Sequence, residues 1–317
     1  QAEQSEEVAA AYVGEQLTFG PEYLIPKPFD PRLMMKIASA VAQAAAECGV
    51  AQRPIQDMDA YRAHLQTFVY ASGTMMKPLF AAAKKAAKKR VAYAEGEEER
   101  ILRATQIVVD ERIARPTLIG RPAIIAQRIE KFGLRLKEGV DYDVVNTDFD
   151  HRYRDFWQTY HRMTERKGIT VPIARIEMRR RLTLIGSMLL HKGEVDGLIT
   201  GTWGQTSHHL QYVDQVIGRR AGVQTYACMN GLLLPDRQVF LVDTHVNYDP
   251  TPEELAEITT MAAEEMMRFG LKPKAALLSH SNFGSSNQPS AVKMRRVLDL
   301  LRIQAPWLEV DGEMHGD

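Results

Sequence analysis

The chain has 317 residues, 45% hydrophobic and 25% charged, and its 40 basic side chains are balanced by 40 acidic ones. Zero net charge removes the usual electrostatic argument for a nucleic-acid or anionic-membrane partner, and no apolar run reaches the ~18–20 residues that crossing a bilayer requires. Cys48 and Cys228 are the only cysteines and have no C-x-x-C or zinc spacing, so neither a disulfide framework nor a structural metal site is expected.

No signal peptide is visible, so the sequence reads as cytoplasmic. It opens on Gln1 in a segment, Glu6 to Tyr12, that already has helical spacing. It stops at Asp317 shortly after an apparent strand. A natural terminus can end there, and a fragment of a longer polypeptide is an equal expectation.

Residues 1 to about 88 read as helical. Pro21, Pro26, Pro28 and Pro31 punctuate an extended stretch. Asp30-Pro31 then opens a helix, with Asp suited to the cap and Pro to the first turn. Met34, Ile37, Val41, Ala44 and Cys48 recur at helical spacing, and Gly49 ends the run. The alanines of 38–46 suit close helix contact. A second helical stretch runs from Asp59 to about Lys89, interrupted near Gly73 and Pro78. Its basic end, Lys84 to Arg90, reads first as a solvated helix terminus favoured by the dipole, with a phosphate-binding role as the alternative.

From Arg90 strands and helices alternate. Strands are expected at 91–94, 117–119, 142–145 and 197–200. Helices are expected at 97–114, 122–132, 150–166, 171–192 and 206–217. Met178, Leu182, Ile185 and Leu189 form one apolar face of the 171–192 helix. Alternation of this kind predicts a parallel sheet with helices on both faces. After Gly218 the pattern changes to a hairpin, 226–229 with 239–242, joined across Leu234 to Arg237. Thr251-Pro-Glu-Glu254 is a capping box for a helix whose inner face is Leu255, Ile258, Ala262, Met266 and Phe269. Strand 275–278, helix 289–302 and strand 308–310 complete the series.

Two loops can carry chemistry. Ser279, Ser281, Gly284, Ser285 and Ser286 follow a buried strand and precede a helix, where short hydroxyls and backbone amides can meet an anion. Gly201, Thr202, Gln205, Thr206 and Ser207 repeat that logic after strand 197–200, with Trp203 available either to stack on a planar group or to pack internally. Adjacent His208 and His209 point apart on a helix and make a poor metal pair. Asp148, Asp150 and His151 read as a capped helix start, and Glu97 to Glu99 as acids placed for the dipole. No dinucleotide fingerprint, Walker loop, nucleophile elbow or zincin motif occurs.

Several segments together resemble the phosphate acetyltransferase family: Ala94 to Arg100, Arg166 to Thr170, Gly193 to Gly201, the Ser279–Ser286 loop, and Leu308 to Glu313. Phe19 to Leu33 resembles the end of the catalytic part of bacterial malic enzymes. The pair in this order is similar to the hybrid NADP-dependent malic enzymes of bacteria. The resemblance implies a phosphate acetyltransferase-like two-lobed α/β fold preceded by a helical segment. The expected divisions are 1–58 for the end of the malic enzyme domain, 59–89 for a helical linker, 90–225 for one lobe and 226–317 for an incomplete second lobe. It also implies that the NADP loop and the carboxylates for a divalent Mg or Mn ion lie before Gln1, so that this chain itself carries no cofactor. The Ser-Arg pair and Asp base of an active transferase would lie beyond Asp317.

Within the resemblance, Arg100 is retained, but Thr164 and Gln211 stand where active members supply phosphate-binding arginines. A guanidinium fork holds a phosphoryl group and stabilises its charge, which Thr and Gln cannot do. Arg162 could compensate. The leading expectation is therefore a regulatory module that binds acetyl-CoA or another acyl-CoA and signals to a malic enzyme through helices 59–89. An active phosphate acetyltransferase and an assembly module built on the 38–46 helix are the alternatives. A homo-oligomer is expected.

Overall fold

The structure, a computed structural model, describes residues 31–69, 73–234 and 237–316. The expected Glu6–Tyr12 helix and most of Phe19–Leu33 lie outside the described residues. The chain divides into two compact units, Gln1–Gly204 and Gln205–Asp317.

In the first unit, α1 (Pro31–Glu47) packs on α2 (Met58–Val69), and α3 (Gly73–Lys85) follows. The second helical stretch is thus two helices. Pro78 lies inside α3 at its sixth position instead of breaking it; the lost i→i−4 bond and ring clash there cost about 3 kcal/mol, and the helix nonetheless continues through Ala81-Ala-Ala. On α1 the stripe of Met34, Ile37 and Val41 faces outward, 48%, 55% and 61% exposed.

Strands β1 (Lys89–Tyr93), β2 (Ala114–Ile119), β3 (Asp143–Val145) and β4 (Gly197–Ile199) form a wholly parallel sheet in the order β3-β2-β1-β4. Strands β1, β2 and β3 enter the core toward their carboxyl ends: Ala92 and Tyr93 on β1, Leu118 and Ile119 on β2 and Val145 on β3 are buried, whereas Ile199 at the end of β4 is exposed. Helices α4 (Glu99–Asp110) and α5 (Pro122–Lys131) supply Ile101, Leu102, Ile125 and Ile129 to a cluster closed by Leu136 and Tyr142. Burial of a side chain of that size is worth about 1.5–3 kcal/mol.

α6 (Tyr153–Thr164) leads to α7 (Val171–Arg180) and α8 (Leu182–His191). The single helix expected over 171–192 is therefore two. Arg181 takes an extended conformation, φ −106° and ψ 95°, that breaks the run and re-aims α8. The change lets α8 bury Thr183 through Leu189 on all sides, which one amphipathic helix could not do.

In the second unit, α9 (Thr206–Val216) precedes the antiparallel hairpin of β5 (Met229–Leu233) and β6 (Gln238–Val242). The first hairpin strand lies three residues later than expected, because Met229 pairs with Val242 and Leu233 with Gln238. α10 (Pro252–Arg268) begins on the predicted capping box: Glu254 N donates to Thr251 Oγ1 at 3.2 Å and Thr251 N to Glu254 Oε2 at 2.8 Å. β7 (Lys274–Leu278), α11 (Pro289–Gln304) and β8 (Glu309–Met314) form a parallel pair with its crossover helix. Their core is Ala256, Ala263, Leu277, Val297, Leu298, Leu301 and Leu308.

Candidate functional site

The order β3-β2-β1-β4 reverses at β1, so the switch point of the sheet lies between the carboxyl ends of β1 and β4, where open α/β sheets hold ligands. Gly96 sits against β2 there. Its N–H donates to Ile119 O at 3.1 Å, and a Cβ would stand 2.9 Å from both Ile119 N and Ile119 O. This close approach turns Glu95 inward, where it is 3% exposed. Its Oε1 accepts the Gly201 N–H at 3.0 Å and the Thr200 hydroxyl at 3.2 Å, and its Oε2 lies 3.4 Å from Thr202 Oγ1. Thr183 Oγ1 is 2.7 Å from Thr200 Oγ1 and extends the network. The amide and hydroxyls expected to meet a ligand anion are thus turned to the chain's own carboxylate.

At the start of the second unit, Gln205, Thr206 and Ser207 are exposed. Gln205 takes the N-cap position of α9 in an extended conformation but makes no side-chain cap bond. The first amides of α9 therefore lack the usual cap and keep the positive end of the helix open to an anion.

The Ser279–Ser286 turn follows β7 as expected, and its hydrogen bonds close inward. Gly284, with φ +90°, donates its N–H to Glu313 Oε1 at 2.8 Å, and the Ser281 hydroxyl donates to the same oxygen at 2.8 Å. Phe283 N reaches Glu313 O, Ser281 N reaches Ser279 Oγ, Asn282 N reaches Ser285 Oγ, Ser285 N reaches Asn282 O, and Ser286 N reaches Ser281 Oγ. Each amide from 281 to 286 is spent within the chain, so a ligand here would meet hydroxyl groups and the His280 ring instead. Arg295 Nη1 also donates to Glu313 Oε1, at 2.8 Å. Burial raises the affinity of the Glu313 carboxyl for a proton, but Gly284, Ser281 and Arg295 outweigh it and hold the group down to about 2.

Thr164 is fully buried at the end of α6, its hydroxyl bonded to Tyr160 O at 2.7 Å. Arg162 donates to Thr159 Oγ1 at 3.0 Å. Gln211 is exposed on α9. Arg100 is exposed in the first turn of α4, 3.8 Å from Glu98. Glu97 does more than serve the dipole: it accepts the Arg121 N–H at 2.9 Å and pairs with the Arg121 guanidinium at 2.8 Å, which lowers its affinity for a proton. Asp150 clasps Arg152 at 2.7 Å, but the expected side-chain cap does not form: the helix begins at Tyr153 behind Arg152, with no side-chain cap bond. Among the described residues no group of three or more His, Cys, Asp or Glu side chains could hold a metal ion. No described helix is long and apolar enough to cross a membrane.

Glu95 and Glu313 carry the two networks, yet sequence reasoning did not single them out. The available signal was an acid placed directly after an apolar strand, or ending one, beside a glycine.

The α/β architecture and strand-end turns define a phosphotransacetylase-type protein. The solved phosphotransacetylase of Streptococcus pyogenes superposes with a TM-score of 0.67 at 25% identity, covering 76% of this chain and 74% of that one. EutD phosphotransacetylase from Staphylococcus aureus gives 0.64 at 22% identity, over 76% and 73%. The sequence profile described as phosphate acetyl/butaryl transferase matches residues 74–317, and the chain belongs to that family. Its whole length also aligns with malic enzymes. It is 54% identical to the NADP-dependent malic enzyme of Salmonella typhimurium, over 100% of this chain and 42% of that protein. It is 52% identical to the NAD-dependent malic enzyme of Rhizobium meliloti, over 99% and 41%. The phosphate acetyltransferase of Nitratidesulfovibrio vulgaris is 32% identical over 72% of this chain and 32% of that protein. The chain thus spans about two-fifths of the malic enzymes it matches.

Proposed function

We propose that this chain is the phosphate acetyltransferase-like module of a malic enzyme that decarboxylates malate to pyruvate with NADP. In this reading the module binds acetyl-CoA or another acyl-CoA as a regulator and does not transfer acetyl groups. The observation that carries the second part is Thr164. By the resemblance it stands where active members carry a phosphate-binding arginine, and it is buried with its hydroxyl closed on Tyr160 O. A phosphoryl group in flight needs a preorganised positive charge that this position does not offer.

Support for ligand binding comes from the uncapped, exposed start of α9 at Gln205, Thr206 and Ser207, which suits an anionic oxygen. Within the same unit the hydroxyls of Ser279, Ser285 and Ser286 are further candidate contacts, and in the first unit exposed Arg100 and the Thr202 hydroxyl are candidates of their own. An effector acts by binding one conformation of the parent enzyme better than another. Calorimetry of acetyl-CoA against the full-length protein, with malate decarboxylation followed in parallel, tests the reading. Heat of binding together with a change in rate is expected. Absence of both would end it.

The 32% identity to a phosphate acetyltransferase favours a second reading, an active transferase. It requires acetyl-CoA to form from acetyl phosphate and CoA in the full-length protein, and turnover in a coupled assay would replace the first reading. The outward apolar stripe of Met34, Ile37 and Val41 favours a third, assembly of a homo-oligomer through α1. Light scattering that finds a monomer would exclude it.

A further inference from the structure

Helices α6 and α7 lie side by side, and two arginines of α7 stack on two aromatic rings of α6. The Arg179 guanidinium is 4.3 Å from the Tyr153 ring centre, and Arg175 is 4.4 Å from the Trp157 ring centre. Arginines and rings are each spaced i, i+4, so the stacks repeat one helical turn apart. The Tyr153 hydroxyl donates to Arg175 O at 2.9 Å and ties the two helices together.

Stacking on a ring face leaves the N–H edge of a guanidinium available and costs less entropy on binding than ordering a free side chain. Neither arginine makes an ion pair with a carboxylate among the described residues. Glu177, between them in sequence, is engaged by the Tyr160 hydroxyl at 2.9 Å. Asp150 is taken by Arg152. Arg180 and Arg181 follow directly, so four arginines fall within 175–181 against Glu177 on the same helix and Asp148 and Asp150 of the adjoining cleft, although the chain as a whole is neutral.

The place in the fold matters as much as the charge. Tyr153, under Arg179, lines a small cleft with Val145, Asn146, Thr147 and Asp148 just beyond the carboxyl end of β3. Arg179 also donates to Asp148 O at 3.3 Å, so it stands on the rim of that cleft. Ligands of parallel sheets gather at this end. The amides that would ordinarily cradle phosphate there, at Gly201, are occupied by Glu95.

We propose that the Arg175–Arg179 ladder, at the rim of the β3 cleft, is a binding site for a phosphate-bearing nucleotide, held through its phosphate oxygens. Two preordered forks one turn apart suit two neighbouring phosphate groups, which is why a bisphosphate is favoured over a simple carboxylate. The site deepens the proposed acyl-CoA binding, because a bisphosphorylated adenosine is the anionic end of that ligand class.

Calorimetry with adenosine 3′,5′-bisphosphate and with pyrophosphate tests it on the full-length protein, with saturating NADP to fill any nucleotide site elsewhere. Both probes are expected to bind, weakening as salt rises. The double variant Arg175→Gln/Arg179→Gln is expected to bind about tenfold more weakly or worse. Arg175→Lys/Arg179→Lys, which keeps the charge, should fall between. Circular dichroism of both variants checks that the fold is kept. Failure of the wild type to bind either probe, or equal binding by wild type and the Gln variant, overturns the proposal. If acetyl-CoA binds wild type and the Gln variant alike, this site falls while the acyl-CoA reading stands. If acetyl-CoA fails to bind the wild type while the bisphosphate binds through the arginines, the reverse holds.

Discussion

Glu313 Oε1 and the Gly284 N–H meet at 2.8 Å, so the strand-end turn that resembles an anion cradle is filled from within by the side chain of β8. The same oxygen takes the Ser281 hydroxyl and Arg295 Nη1, whereas Oε2 is buried and meets no donor among the described residues. One oxygen is saturated and the other is bare, and the carboxylate stays ionised because the Gly284 N–H, the Ser281 hydroxyl, its own backbone N–H and Arg295 together outweigh burial.

This arrangement fixes a pH dependence. The folded carboxyl titrates near 2, below its ordinary value of 4.5. A depressed carboxylate contributes stability in full above the unfolded value and loses it as pH falls through the folded one. The Glu313 contribution is therefore expected to be constant at neutral pH and to disappear between about 4.5 and about 2. Urea denaturation at a series of pH values checks it. The wild type should lose stability more steeply in that window than Glu313→Gln, and parallel curves would refute the assignment.

Glu95 makes the matching prediction in the first unit. Glu95→Ala removes the acceptor of two part-buried hydrogen bonds, from the Gly201 N–H and the Thr200 hydroxyl, and each such bond contributes about 0.5–1.5 kcal/mol. In a unit of this size each kcal/mol shifts Tm by roughly 2–4 °C, so calorimetry should show a fall of several degrees. Glu95→Gln keeps an acceptor oxygen and should lose less. Equal losses would mean that packing, not the hydrogen bonds, is at stake.

Much of this architecture was legible in the sequence. Periodicity located the four parallel strands, and the Thr251–Glu254 spacing located the start of α10. What escaped was non-local. The break at Arg181 follows from how α8 is buried, which an apolar run does not reveal. The shift of β5 is set by its pairing with β6. The candidate loops were found because short hydroxyls and glycines cluster in sequence. That their amides are already spent could not be read there, since Glu313 lies 29 residues from Gly284 and Glu95 lies 106 residues from Gly201.

The capping box of α10 offers a local test. Thr251 and Glu254 satisfy two amides reciprocally at the head of a 17-residue helix. Thr251→Ala should cost about 1 kcal/mol and Thr251→Gly only a few tenths. Denaturant midpoints compared at a common slope measure both, and a larger loss for Gly than for Ala would argue against the cap.

The final prediction concerns Gly96, where the site is shaped by the lack of a side chain. A Cβ would stand 2.9 Å from Ile119 N, Ile119 O and Leu118 Cβ, and two of these are backbone atoms of β2 that cannot step aside as a side chain would. Gly96→Ala should therefore force β1 and β2 apart at their carboxyl ends, weakening the Gly96 N–H to Ile119 O bond and turning Glu95 out of its pocket. Overpacking of this kind costs about 1–3 kcal/mol. The cost of Gly96→Ala and that of Glu95→Ala should be less than additive in the double variant, because the first already disturbs the bonds the second removes. A double-mutant cycle by thermal denaturation measures the coupling, and strict additivity would show that Gly96 shapes the strand end without setting the position of Glu95.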